Sequence, residues 1–135
     1  MNLRKIFLSL FLLPLNAFAA APYTDIDNQQ LKALQTQGIP VYDIRRTEEW
    51  AQTGVIEGSH KLTFIDEKGR VMPDFVEKFT KAIGKNDPVI LICRTGHRTD
   101  ALSHALVEQL GYTKIYNVKN GITRWISDGL PVVRN

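Results

Sequence analysis

The residues best suited to chemistry lie in one short stretch, Cys93-Arg94-Thr95-Gly96-His97-Arg98, directly after the apolar run Val89 to Ile92. Cys93 is the single cysteine of the chain, so no intrachain disulfide and no CxxC redox or zinc motif is available to it. A strand-to-helix loop turns backbone N–H groups toward its centre, and the helix that follows adds partial positive charge. Gly96 permits a close-approach or left-handed conformation, and Arg94 and Arg98 place two guanidinium groups near the sulfur. Each of these favours a thiolate, the nucleophilic form of cysteine, and each would hold an anion beside it. The opposing reading, a small buried hydrophobe ending an apolar strand, does not account for two arginines flanking a glycine.

Arg98 is the first candidate for binding an anionic substrate and Arg94 the second, with solvated surface charge as the alternative for both. His97 either donates to the incoming anion or faces water, and Thr95 completes the loop. Asp43 and Arg45 close another strand-like run and face the same end of the sheet as Cys93. They either organise the loop through an ion pair and hydrogen bonds or form a local strand-end pair of small value. Trp50 and Trp125 read as core or rim packing, and Tyr42, Phe64 and Phe75 as core. His60, His97 and His104 have no cysteine or carboxylate partners at ligand spacing, so no metal and no cofactor is expected.

The elements that must position this loop alternate in kind. β-Branched apolar runs occur at Val41 to Ile44, Leu62 to Ile65, Val89 to Ile92 and Ile115 to Val118. Between them the apolar residues take helical spacing. Leu31 and Leu34 follow an N-cap placed at Asn28 and precede Gly38. Phe75, Phe79 and Ile83 follow Pro73 in a first turn and precede Gly84, and Leu102, Leu106 and Leu110 end at Gly111. Shorter helices are expected at Glu48 to Gln52 and Ile122 to Ser127. The alternation predicts one α/β domain, with a central, mostly parallel sheet of about five strands and helices on both faces.

The chain has 135 residues, 17 basic and 14 acidic, for a formal charge of +3, which allows one domain of ordinary globular composition. Arg4 and Lys5, the apolar run Ile6 to Leu15 and Ala17-Phe18-Ala19 have the order of an export signal. The run is too short for a membrane span of about 20 apolar residues. Cleavage is therefore expected after Ala19, giving a leader over residues 1–19, a domain over 20–135 and a periplasmic or otherwise exported protein without a stable membrane anchor. The leader removed, 15 basic residues face 14 acidic ones, and nucleic-acid binding loses its electrostatic support.

The loop resembles the active-site pattern C-x-x-G-x-R of the rhodanese family, specifically its small, single-domain, exported members. Asp43-Ile44-Arg45 with Glu49-Trp50 and Gly54 to Gly58 resembles the family's N-terminal signature, D-V-R-x-x-x-E-[FYW]…G-H-I-x-G-A. Leu110-Gly111-Tyr112 with Ile115 to Val118 resembles the strand after its catalytic helix, and Asn120-Gly121-Ile122, Trp125 and Gly129 to Val132 its C-terminal segment. Val55, Ser59 and Asn120 depart from the usual residues, and none is next to the cysteine. The resemblance implies transfer of sulfane sulfur through a Cys93 persulfide, from thiosulfate or a persulfide donor to cyanide or a thiol, with a protein persulfide as a further partner. A phosphatase or arsenate reductase on the same fold would use a loop one residue longer, C-x5-R, with an acid to protonate the leaving group. A non-catalytic module of the family often lacks the cysteine that this chain keeps.

Overall fold

A computed structural model describes residues 22–134. The leader expected over residues 1–19 and its cleavage site lie outside the described residues. The elements run β1 (Thr24–Ile26), α1 (Asn28–Thr36), β2 (Val41–Asp43), α2 (Thr47–Thr53), β3 (His60–Lys61), α3 (Phe75–Ala82), β4 (Val89–Ile92), α4 (His97–Leu110), β5 (Ile115–Val118) and α5 (Gly121–Ser127). The five strands form one sheet in the order β1-β5-β4-β2-β3, and every neighbouring pair is parallel.

β4 is central and its four residues are all buried, which explains its unbroken apolar sequence. Its side chains alternate between two cores. Val89 and Leu91, with Cys93 after them, pack with Tyr42, Phe75, Phe79, Leu102 and Leu106, under α3 and α4. Ile90 and Ile92 pack with Val41, Leu31, Val118, Ile122 and Trp125, against α1 and α5. Helices therefore cover both faces, as the alternation of elements predicts.

Several local expectations are corrected. The N-cap of α1 is Asp27, not Asn28; its carboxylate accepts from the Gln30 amide, and the Gln30 side chain accepts from the Asp27 amide. Pro73 stands two residues before α3, whose N-cap is Asp74. Leu62 to Ile65 is not a strand, because regular pairing stops after Lys61. The Leu62 amide donates to Asp43 O and the Phe64 amide to Ile44 O, so two residues of one segment advance against one of the other. The intervening Thr63 turns its hydroxyl to Arg45 O at 2.9 Å. The edge strand β1 was not expected; it is held by β5, by the Asn117 amide donating to Asp25 Oδ1, and by Tyr23 donating to Asp100 of α4.

Candidate active site

The loops after β2 and β4 leave the same end of the sheet from neighbouring strands, since Asp43 pairs with Ile92 in register. A crevice outside the carboxyl ends of parallel strands is where α/β sheets bind ligands. Cys93 follows the last residue of β4 there, at the base of the loop that runs into α4.

The thiol is 1 % exposed. The Gly96 N–H donates to Cys93 Sγ at 3.2 Å, and the Thr99 hydroxyl lies 3.4 Å from it. Thr99 is itself buried, and its Oγ1 also reaches Gly96 O at 3.2 Å. The expected ring of amides on the sulfur is thus one amide and one hydroxyl. The N–H groups of His97 and Arg98 belong to the first turn of a fourteen-residue helix, where no intrahelical acceptor exists. Arg94, Thr95 and His97 form an exposed rim, and Arg94 makes no ion pair among the described residues.

Two glycines fix the loop. Gly96 caps α4 with φ 95°, and a Cβ there would sit 2.0 Å from Lys119 O. Gly121 starts α5 with φ 64°, and a Cβ there would sit 2.3 Å from Arg94 O. That proximity lets the Ile122 and Thr123 amides donate to Cys93 O and Arg94 O, at 2.9 and 3.1 Å. The start of α5 thus pins the backbone under the sulfur.

Arg98, the first candidate for binding an anionic substrate, is paired in this structure. Its two terminal nitrogens donate to the two carboxylate oxygens of Glu49, at 2.8 and 2.7 Å. Glu49 also accepts from the Arg46 amide at the start of α2. These contacts raise the Arg98 guanidinium above its ordinary pKa, the Glu49 hydrogen bonds foremost. Burial pushes the Glu49 carboxyl up, but the bonds from Arg98 and the Arg46 amide and the two cationic charges outweigh it, holding it down at about 2.

Glu49 and Thr99 are the site residues that sequence reasoning missed. Glu49 stands three residues after Arg46, the spacing at which a side chain caps a helix start, and Thr99 follows Arg98 directly.

A pH dependence follows from Glu49. A carboxyl more acidic folded than unfolded stabilises the protein above its unfolded value of about 4.5, and that contribution disappears as pH falls toward about 2. Urea unfolding of Glu49→Gln is expected to show a shallower fall over this window than the parent chain; parallel curves would remove Glu49 as a source.

Asp43 and Arg45 sit where expected, yet they face each other. Arg45 Nε and one terminal nitrogen donate to the Asp43 carboxylate at 2.8 to 3.1 Å, and both residues are fully buried. The other terminal nitrogen donates to Thr53 Oγ1 at 2.8 Å, and the one that bonds Asp43 also donates to Gly54 O at 2.9 Å. Trp50 Nε1 donates to Asp43 Oδ1 at 3.0 Å. The pair anchors α2 at Trp50 and at its C-terminal end, and α2 presents Glu49 to Arg98.

The model of the Rhodanese-like domain matches residues 27–128. The chain belongs to the rhodanese-like family. Its rhodanese domain is 28% identical over 111 residues to thiosulfate sulfurtransferase GlpE of Actinobacillus pleuropneumoniae serotype 3, covering 82% of this chain and 93% of that protein. It is 30% identical over 111 residues to a sulfurtransferase of Allochromatium vinosum, covering 81% of this chain and 94% of the other. Among solved structures, a rhodanese-related protein of Thermoplasma volcanium superposes with a TM-score of 0.64 at 26% identity, over 84% of this chain and 100% of that one. At the level of the family these relatives support sulfur transfer as the class of reaction. Within the rhodanese domain, the matched region contains every site residue described above, from Asp43 to Gly121.

Proposed function

We propose that this rhodanese is an exported sulfurtransferase that carries sulfane sulfur on Cys93. The observation that carries the reading is the Cys93 sulfur at the base of a six-residue loop, with the Gly96 N–H on it and the first turn of α4, whose amides have no intrahelical acceptors, directly after it. In the first half-reaction the Cys93 thiolate attacks the outer sulfur of thiosulfate. The S–S bond of the donor breaks, sulfite leaves with the electron pair, and a Cys93 persulfide remains. The new S–S bond, about 2.05 Å long, moves the reactive atom outward from the buried Sγ toward the loop mouth. Negative charge on that outer sulfur meets the first-turn N–H groups and the exposed Arg94. In the second half-reaction cyanide or a thiolate attacks the outer sulfur, the Cys–S bond to it breaks, and the Cys93 thiolate is regenerated.

Two features support this reading over phosphate or arsenate chemistry on the same fold. Arg98, which would have to face a tetrahedral oxyanion, is committed to Glu49. The loop residues Arg94 to His97 include no carboxylate to protonate a leaving alcohol. The export half of the proposal is supported by the charged, apolar and small residues from Arg4 to Ala19.

Mass spectrometry of the purified chain after thiosulfate tests the reading. The peptide carrying Cys93 is expected to gain the mass of one sulfur atom and to lose it on adding cyanide. Absence of the adduct, with hydrolysis of an aryl phosphate, would replace this reading with the phosphatase one.

A further inference from the structure

We propose that Glu49 determines specificity in the Cys93 loop by occupying the hydrogen-bonding edge of Arg98, which weakens the loop's hold on phosphate. This rests on the reading that the loop receives the anionic sulfur donor, and it adds what the loop refuses.

The pair joins two segments far apart in sequence. Glu49 belongs to α2, which follows β2, and Arg98 to the first turn of α4, which follows β4. Both side chains are largely buried, at 10 % and 16 % exposure, and the two nitrogen-to-oxygen bonds run in parallel. That is the geometry in which a guanidinium recognises a planar carboxylate, and it also matches two oxygens of a phosphate. Glu49 therefore occupies the recognition edge of Arg98 with a carboxylate that belongs to the protein.

The consequence for charge is direct. With that edge occupied, the donors left to the loop are the Gly96 amide, the first-turn amides of α4 and the exposed Arg94, while the Arg98 charge that reaches Cys93 is offset by Glu49. Such a cradle suits the diffuse charge of a persulfide or of thiosulfate's outer sulfur. Phosphate, whose charge lies on its oxygens, needs a facing guanidinium to offset its lost hydration. Without the Glu49 charge, Arg98 would be a mostly buried, uncompensated cation two residues from Gly96. Asp43 and Cys93 act on it only through space, so an anion entering the adjacent loop is able to bond the freed edge.

The experiment titrates inorganic phosphate into the resting protein and follows the amide resonances of Gly96 and His97. Glu49→Gln is expected to bind phosphate at least about tenfold more tightly than the parent chain. Glu49→Asp, which keeps the charge, is expected to stay as weak as the parent. The double variant Glu49→Gln/Arg98→Met is expected to return to that weak binding. Unchanged phosphate affinity in Glu49→Gln, or equally tight binding by the double variant, would overturn the assignment. If Glu49→Gln folds poorly, phosphate is expected to raise its melting temperature more than that of the parent, and an equal rise counts against the proposal. Phosphate binding needs no turnover. A chain that takes up no sulfur from thiosulfate yet shows the gain loses the reading of its reaction and keeps this one. A chain that takes up sulfur and shows no gain does the reverse.

Discussion

Cys93→Ser is expected to lower kcat/KM for thiosulfate at least about a thousandfold, equivalent to about 4 kcal/mol of transition-state stabilisation. The serine hydroxyl is slightly smaller than the thiol and can still accept the Gly96 N–H, so the loop has no reason to rearrange. What disappears is a polarizable nucleophile able to attack a sulfane sulfur and then leave again when the acceptor arrives. Because the second half-reaction requires the same atom as leaving group, cyanide and thiol acceptors are expected to fail equally. Steady-state assays with each acceptor, alongside denaturant unfolding, separate this from a folding defect. Unfolding midpoints that stay together while activity vanishes support the covalent route. Retention of more than a few hundredths of the activity would place the sulfur carrier elsewhere, and among the described residues there is no other cysteine.

The same residue shows why parts of the site were legible in the sequence. A continuous apolar run identifies a strand buried on both faces, and glycine and arginine after it identify a strand-to-helix loop, although Cys93 itself is buried in the core under α3 and α4. These are local signals, each spanning a few residues, and β4, Cys93 and Gly96 follow from them. The helix periodicities are local as well, and α3, α4 and α5 fall where the apolar spacing puts them. The edge strand β1 carries no such signal, since two of its three residues are exposed and its identity comes from pairing with β5. Leu62 to Ile65 fails for the converse reason: its composition suits a strand, but an extra residue disrupts its pairing with β2.

The role of Arg98 was illegible in a different sense. Its type and position suit an anion ligand, and nothing within the loop shows that a carboxylate 49 residues earlier already holds it. That contact exists because β2 and β4 are sheet neighbours, a fact of topology that residue spacing does not encode. Asp43 and Arg45 present a related case. Two residues apart at the end of a strand, they read either as organisers of the loop or as a local pair of small value, and the spacing does not show that the fold buries them completely.

Asp43→Ala is therefore expected to reduce the free energy of unfolding by about 3–5 kcal/mol, the cost of leaving a buried guanidinium without its counter-charge. Arg45 would keep its bonds to Thr53 Oγ1 and Gly54 O, which satisfy some of its donors but none of its charge. Replacing both residues, as Asp43→Leu/Arg45→Met, removes the charges together and is expected to cost less than Asp43→Ala alone, the sign of a coupled pair. Denaturant titration of Asp43→Leu, Arg45→Met and the double gives the coupling directly, and additive losses would show that the two residues act independently. The damage is not confined to stability. Trp50 donates to Asp43, and Arg45 fastens the far end of α2, so losing Asp43 loosens the helix that presents Glu49 to Arg98. Well below its melting temperature, Asp43→Ala is expected to show altered Trp50 fluorescence together with reduced sulfur transfer. The other tryptophan, Trp125, is buried against the opposite core and bonded to Pro131 O, so its signal stays fixed. Full activity in a folded Asp43→Ala would mean that the Cys93 loop keeps its shape without α2 behind it.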